Sequence, residues 1–162
     1  MNEEEHDRIV VGVDGSADAR AAVRWALGEA CQRRADVDLV ACWHVPYMAD
    51  ASAYGLMYVT PDDMMEGAKE EADRSLGALA PDLEAVQRAG CHVSVRAVEG
   101  DAGHVLAIES KGALMLVVGR HGRGALGRLV LGSVGRHVVA HAACPVVVVP
   151  PDTNVAADQP TG

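Results

Sequence analysis

The sequence predicts an α/β protein, an open parallel sheet of five strands in the order 3-2-1-4-5 with helices on both faces, a Rossmann-like arrangement. Three observations carry this. Short apolar runs alternate with segments of helical periodicity along the 162 residues, and parallel neighbours need such crossovers. The hydrophobic share, 49%, is enough to bury a core in a chain of this length. The densest glycine cluster directly follows an apolar run in ALMLVVGRHGRGALGRLVLGSVG, Ala113 to Gly135, which reads as strand, loop and helix start. The order 3-2-1-4-5 sets the ends of the first and fourth strands side by side where the chain reverses direction across the sheet, the place where such sheets bind ligands.

The first strand is RIVVGV, Arg8 to Val13, a continuous apolar run of the kind covered on both faces. Asp14 sits at its carboxyl end. A carboxylate there meets a ribose hydroxyl or a metal on bound phosphates, or else serves the turn and caps the helix. Ser16 suits the N-cap and Asp18 the positive end of the helix dipole. Ala19, Ala22, Val23, Ala26, Leu27, Ala30 and Cys31 recur at the spacing of one helix face, with Arg20, Arg24 and Arg34 off it. Val37 to Val45 is the second strand, with Trp43 expected in the core. The segment from Pro46 to Thr60 holds all three tyrosines, Tyr47, Tyr54 and Tyr58, and little periodicity, as lids and binding segments do.

A helix follows in which Thr60 caps, Pro61 takes the first position and Asp62 and Asp63 face the dipole. Met65, Ala68, Ala72, Leu76 and Leu79 supply its buried face, and Glu66, Glu70, Glu71 and Asp73 its solvated one. Pro81 interrupts it, with a further turn or two ending at Gly90. The third strand, Cys91 to Val98, alternates His92, Ser94 and Arg96 against Val93, Val95 and Ala97, as an edge or half-wet strand does. Asp101 to Ser110 is a short helix. The last helix runs from Ser133 to about Ala142, and Val146 to Val149 forms an edge strand. Four valines on an open edge call for cover, so this strand is expected to pair with its copy in a homodimer, with Pro145 and Pro150 limiting the pairing.

The glycine-rich loop reads as a phosphate site, because glycines admit close approach to backbone N–H groups and a helix N-terminus favours an anion. Ser133 either caps that helix or touches the ligand. No acidic residue lies between Glu109 and Asp152, whereas Lys111, Arg120, Arg123, Arg128 and Arg136 lie there in a chain of net charge −9. Such a basic island fits a small, multiply charged anion. Duplex nucleic acid is disfavoured by the acidic remainder, and 3% aromatic residues make a poor single-strand platform. No Gly-Lys-Ser/Thr occurs, so this is not a P-loop NTPase. Gly122, Gly124 and Gly127 satisfy G-x-G-x-x-G, yet the ribose-binding acid about twenty residues later is missing, as AHAACPVVVV stands there.

The four cysteines are widely spaced and read as small buried hydrophobes of a reducing compartment, not as metal ligands. His137 and His141 stand at i, i+4, but with no third ligand apparent they read as surface histidines and no metal site is assigned. The charged start MNEEEHDR and the lack of an apolar run of about eighteen residues point to a cytoplasmic protein without a membrane span. Residues 1–7 are expected to be a flexible terminus, 8–150 one domain and 151–162 a disordered tail.

The pattern Gly119-x-x-Gly122, nine residues, then Gly132-Ser133, with GVDGS at the first strand's end and CPVVVVP near the close, resembles the ATP-binding branch of the universal stress protein family from about Arg8 to Pro150. The resemblance implies an adenine nucleotide alpha hydrolase-like fold and ATP, or another adenine nucleotide, with Mg²⁺ as ligand. It puts Gly12, Val13, Asp14 and Val45 beside base and ribose, Val118, Gly119, His121 and Gly122 beside sugar and phosphates, and Gly132, Ser133 and Val134 at the phosphates. Arg120 and Arg123 add charge-assisted contacts worth about 1.5–3 kcal/mol each when they close on phosphate oxygens. Relatives of this branch often carry Ser or Thr where this chain has Gly135, which removes one hydroxyl. No nucleophile pairs with a base, so the expectation is a stress-response sensor or regulator with at most slow turnover. The alternatives are a weak ATPase resting on Asp14 and His121, and a nucleotide-free dimeric interaction module.

Overall fold

The computed structural model describes residues 7–44, 60–123 and 131–151. Its elements are β1 (Arg8–Val13), α1 (Ala17–Arg33), β2 (Asp36–Trp43), α2 (Pro61–Gly77), α3 (Ala80–Arg88), β3 (Val93–Glu99), α4 (Ala102–Glu109), β4 (Met115–Gly119), α5 (Ser133–His141) and β5 (Val146–Val149). Every strand pair is parallel and the order is β3-β2-β1-β4-β5, as the sequence predicts, which leaves β3 and β5 at the edges. The expected lid segment from 46 to 59 and the tail beyond 151 lie outside the described residues.

Alternation along the strands divides the core. Ile9, Val11 and Val13 of β1 pack with Val37, Leu39 and Ala41 of β2 against the apolar side of α1 and against Ala72, Leu79 and Val86 of α2 and its successors. Val10, Val40, Leu116 and Val118 point the other way, to Val105 and Leu106 of α4 and Val138 of α5. Small residues along α1 permit its close seat on the sheet, since Ala22, Ala26 and Ala30 are each 0% exposed.

Local signals place most helix starts. Ser16 Oγ accepts the Ala19 N–H at 3.1 Å, and Thr60 and Asp63 form a reciprocal capping box with Pro61 following. Asp101 caps α4 through the His104 N–H.

Three expectations need correction. Met65 is 43% exposed, because the buried stripe of α2 runs through Met64, Ala68, Ala72 and Ser75 and on to Leu79 just beyond its end; Ser75 satisfies its hydroxyl by donating to the Glu71 carbonyl at 2.9 Å. Trp43 is half-buried at the tip of β2 and lines a cavity, not the core, since the strand ends there. Ser133 does not cap α5. Gly132 holds the N-cap position and Ser133 is the first helical residue, which frees its hydroxyl from capping.

Candidate functional site

The ends of β1 and β4 meet at the switch point of the sheet, and the N-terminus of α5 closes the third side. Between them lies a cavity of about 380 Å³. Gly12, Val13, Asp14, Val118, Gly119, Arg120, His121, Gly122, Arg123, Gly132, Ser133 and Val134 all line it; Val45 lies outside the described residues. Periodicity alone does not reveal the remaining wall, where Val40 and Cys42 of β2 and Ala102 and Leu106 of α4 add an apolar side. Arg136, part of the basic island, also reaches the cavity, whereas Lys111 does not; Arg128 is outside the described residues.

The loop after β4 is braced by two carboxylates from the opposite strand end and helix. Asp14 Oδ1 accepts the Ser16 N–H at 3.0 Å, and Asp14 Oδ2 accepts the Arg123 N–H at 3.0 Å. Asp14 therefore serves its own turn and ties that turn to the loop. Asp18, read from sequence only as a partner for the helix dipole, has a second task. Its Oδ2 accepts the His121 N–H at 3.0 Å and lies 3.3 Å from His121 Nδ1. Only folding brings these residues together, as they are more than 100 positions apart.

Two loop amides are thus already engaged, and Gly132 donates its own to the Arg120 carbonyl at 2.9 Å. Further donors stand at the first turn of α5, Ser133, Val134 and Gly135, which have no helical acceptor. A helix start with open N–H groups, facing a cavity edged by Arg120 and Arg136, is chemically suited to an anion. The Arg123 guanidinium pairs with Glu71 of α2 at 3.0 Å, while Glu71 also holds Arg74 at 2.9 Å. Glu71, expected on a solvated face, instead covers Gly15 at the rim. Gly135 is tightly enclosed: a Cβ there would stand 2.5 Å from Leu131 Cδ1. A larger residue would have to displace that side chain.

Cys42 gives the wall a chemical marker. Burial pushes its thiol up to about 11, with the charges of Asp101 and Glu109 adding to the shift. The thiolate is scarce at neutral pH. Alkylation of folded protein at pH 7.5, followed by peptide mass spectrometry, is expected to label Cys42 at least tenfold more slowly than an unperturbed thiol, by about one pKa unit or more of lost thiolate. Rapid labelling would contradict the enclosed wall.

Among the described residues, no group of three His, Cys, Asp or Glu side chains is arranged as a ready-made metal site, and no helix is long and apolar enough to cross a membrane.

The sequence and the fold are similar to those of known proteins. A universal stress protein of Mycolicibacterium smegmatis is 36% identical over 152 residues, covering 93% of this chain and 50% of its own length. The chain spans about half the length of the curated relatives it matches. Among solved structures, the universal stress protein UspA from Lactobacillus plantarum superposes with a TM-score of 0.63 at 24% identity, covering 89% of this chain and 97% of its own. A universal stress protein in complex with cAMP gives 0.58 at 22%, covering 90% and 98%. An Arabidopsis thaliana family protein with AMP bound gives 0.56 at 19%, covering 91% and 93%. At these identities the structures establish the fold. Residues 5–150 match the universal stress protein family itself, taking in both braced strand ends and the whole glycine loop, and the chain belongs to that family.

Proposed function

We propose that the cavity binds ATP with Mg²⁺ and that the chain acts as a nucleotide-dependent sensor or regulator in a stress response, with at most slow turnover. The observation that carries this reading is the convergence of β1, β4 and the open first turn of α5 on one cavity of about 380 Å³, a volume in the range of small-ligand sites. The apolar wall from Val40, Cys42 and Leu106 suits a base, and the amides of α5 with Arg120 and Arg136 suit phosphates. The family proteins bound to cAMP and AMP support an adenine nucleotide as the class of ligand.

Mg²⁺ commonly binds through one or two carboxylates and the phosphates themselves, keeping several waters, so it needs no all-protein cage. Asp14 fits this role. Each of its oxygens accepts one backbone N–H, and a carboxylate retains further lone pairs. Mg²⁺ held there would offset phosphate charge beside Asp14 and Asp18. The edge position of β5 supports a homodimer through Val146–Val149, and we place the protein in the cytoplasm.

Calorimetry with ATP and Mg²⁺, together with mass spectrometry of any small molecule that copurifies, tests the ligand. Gly122→Val tests the place. A Cβ at Gly122 would lie 2.9 Å from Asp14 Oδ2, so the variant pushes on the brace as well as filling space. The expected result is loss of ATP binding with the far-ultraviolet circular dichroism unchanged. Parent-like affinity in Gly122→Val would assign the nucleotide to another surface.

A further inference from the structure

Next to the first cavity, where the ends of β1 and β2 meet α2, lies a second cavity of about 340 Å³ that the proposed ATP site does not use. Val13, Asp14, Cys42 and Arg123 line both, so the two are neighbours. Val13 and Ala41 from the strands and Met64, Ala68 and Ala72 from α2 give the second cavity apolar walls, to which Trp43 adds an indole ring. This size and lining suit a small ligand.

Gly67 stands in the middle of α2, where glycine weakens a helix. It lines the cavity, and a Cβ there would meet nothing within 4 Å, so the wall is open where another residue would project. Trp43 Nε1 is buried, yet it has no hydrogen-bond partner among the described residues. Buried donors are nearly always paired, and one left unpaired at a cavity wall suits an acceptor carried in by a ligand. Turning that N–H toward the cavity gives up no hydrogen bond among the described residues, because it makes none. Charge narrows the choice. Asp14 and Glu71 line the cavity and disfavour an anion. A cation gains little, because Glu71 already pairs with Arg123 and Arg74 and Asp14 accepts two backbone amides.

We propose that this second cavity binds an uncharged, planar heteroaromatic molecule of one or two rings, seated against Trp43 and offering a hydrogen-bond acceptor to its indole N–H. A flat ring suits a wall left open at a glycine, and an indole favours an offset-stacked or edge-on aromatic partner. The acceptor supplies what the apolar walls lack. Binding here needs no nucleotide, so this site and the ATP site stand or fall separately.

Titration of the full chain with quinoline, and in parallel with naphthalene, which has the same shape without the ring nitrogen, tests the site. The chain has two tryptophans, so calorimetry is combined with NMR of two indole N–H signals, which Trp43→Phe assigns. The expected result is one quinoline per chain and a saturable shift of the Trp43 signal. The signal of Trp25, which lies on α1 and lines neither cavity, is expected to stay in place. Trp43→Phe is expected to lower the ratio of quinoline to naphthalene affinity about three- to tenfold, the worth of one hydrogen bond. Gly67→Leu projects into the cavity and is expected to weaken quinoline binding about tenfold or more. Its unfolding temperature is expected not to fall, since leucine is the better helix former. Absence of a saturable shift at Trp43 overturns the proposal. So does parent-like quinoline binding in Gly67→Leu, which assigns the ring to another place, and an affinity ratio that Trp43→Phe leaves unchanged overturns the pairing with the indole.

Discussion

Gly119→Ala is expected to lower the unfolding temperature by roughly 6–12 °C and to abolish nucleotide binding. The cause is backbone. A Cβ at Gly119 would stand 2.7 Å from the Asp18 carbonyl carbon and 2.9 Å from its oxygen, so no side-chain rotation relieves it. Either β4 or the first turn of α1 must move. Overpacking of this kind costs about 3 kcal/mol, and in a domain of this size each kcal/mol shifts the midpoint by about 2–4 °C. Movement of the Asp18 backbone also carries its carboxylate away from His121, which loosens the loop at the cavity. The contrasting substitution is Gly28→Ala within α1, where an added Cβ meets nothing within 4 Å. There the better helix former is expected to add about 0.5–1 kcal/mol. Thermal unfolding of both variants checks the argument. If Gly119→Ala melted with the parent, the tight β4–α1 junction would be wrong.

The sheet was legible because its signals are local and repeated. RIVVGV and MLVVG are buried strands whose apolar runs announce them, and Ser16, Thr60 and Pro61 mark helix starts through hydrogen bonds that reach only a few residues along the chain. The cavity was legible because its glycines and the GVDGS turn sit at strand ends, and strand order alone then places them together. What escaped the sequence is long-range polar pairing. Arg8, Asp38, Arg96 and Glu109 meet on one side of the sheet, with Arg8 Nη1 3.0 Å from Asp38 Oδ2 and Arg96 bonded to Glu109, yet no period links these positions. Glu71 and Arg123 escaped for the same reason. On α2 the error was one of phase: Met65 and Met64 fit a stripe almost equally, and the hydroxyl of Ser75 hides a buried position behind a polar letter.

Asp14 and Asp18 do similar work from different depths, and this separates their expected effects. Asp14 is exposed, so water satisfies the Ser16 and Arg123 amides once its carboxylate is gone. Asp14→Ala is therefore expected to leave the unfolding temperature within about 2 °C of the parent, since exposed groups lose little on truncation. Its cost falls on the ligand. With the loop untied and a contact to ribose or Mg²⁺ removed, ATP affinity is expected to fall at least tenfold, about 1.4 kcal/mol. Asp18 is largely enclosed, with 14% of its side chain exposed, and its bond to the His121 amide is partly buried. Asp18→Ala removes the carboxylate that accepts that amide, at about 1–3 kcal/mol, and so is expected to lower both stability and affinity. Calorimetry and thermal unfolding on the same preparations read the two effects apart. Unchanged affinity in Asp14→Ala would remove Asp14 from the nucleotide site, and unchanged stability in Asp18→Ala would show that the His121 amide finds another acceptor. The distinction matters because both carboxylates stand beside the expected phosphates, where charge alone would disfavour an anion. Their presence is compatible with an anion at the open turn of α5 because both accept amides that shape the loop, and Asp14 keeps lone pairs for a Mg²⁺ that would offset its charge.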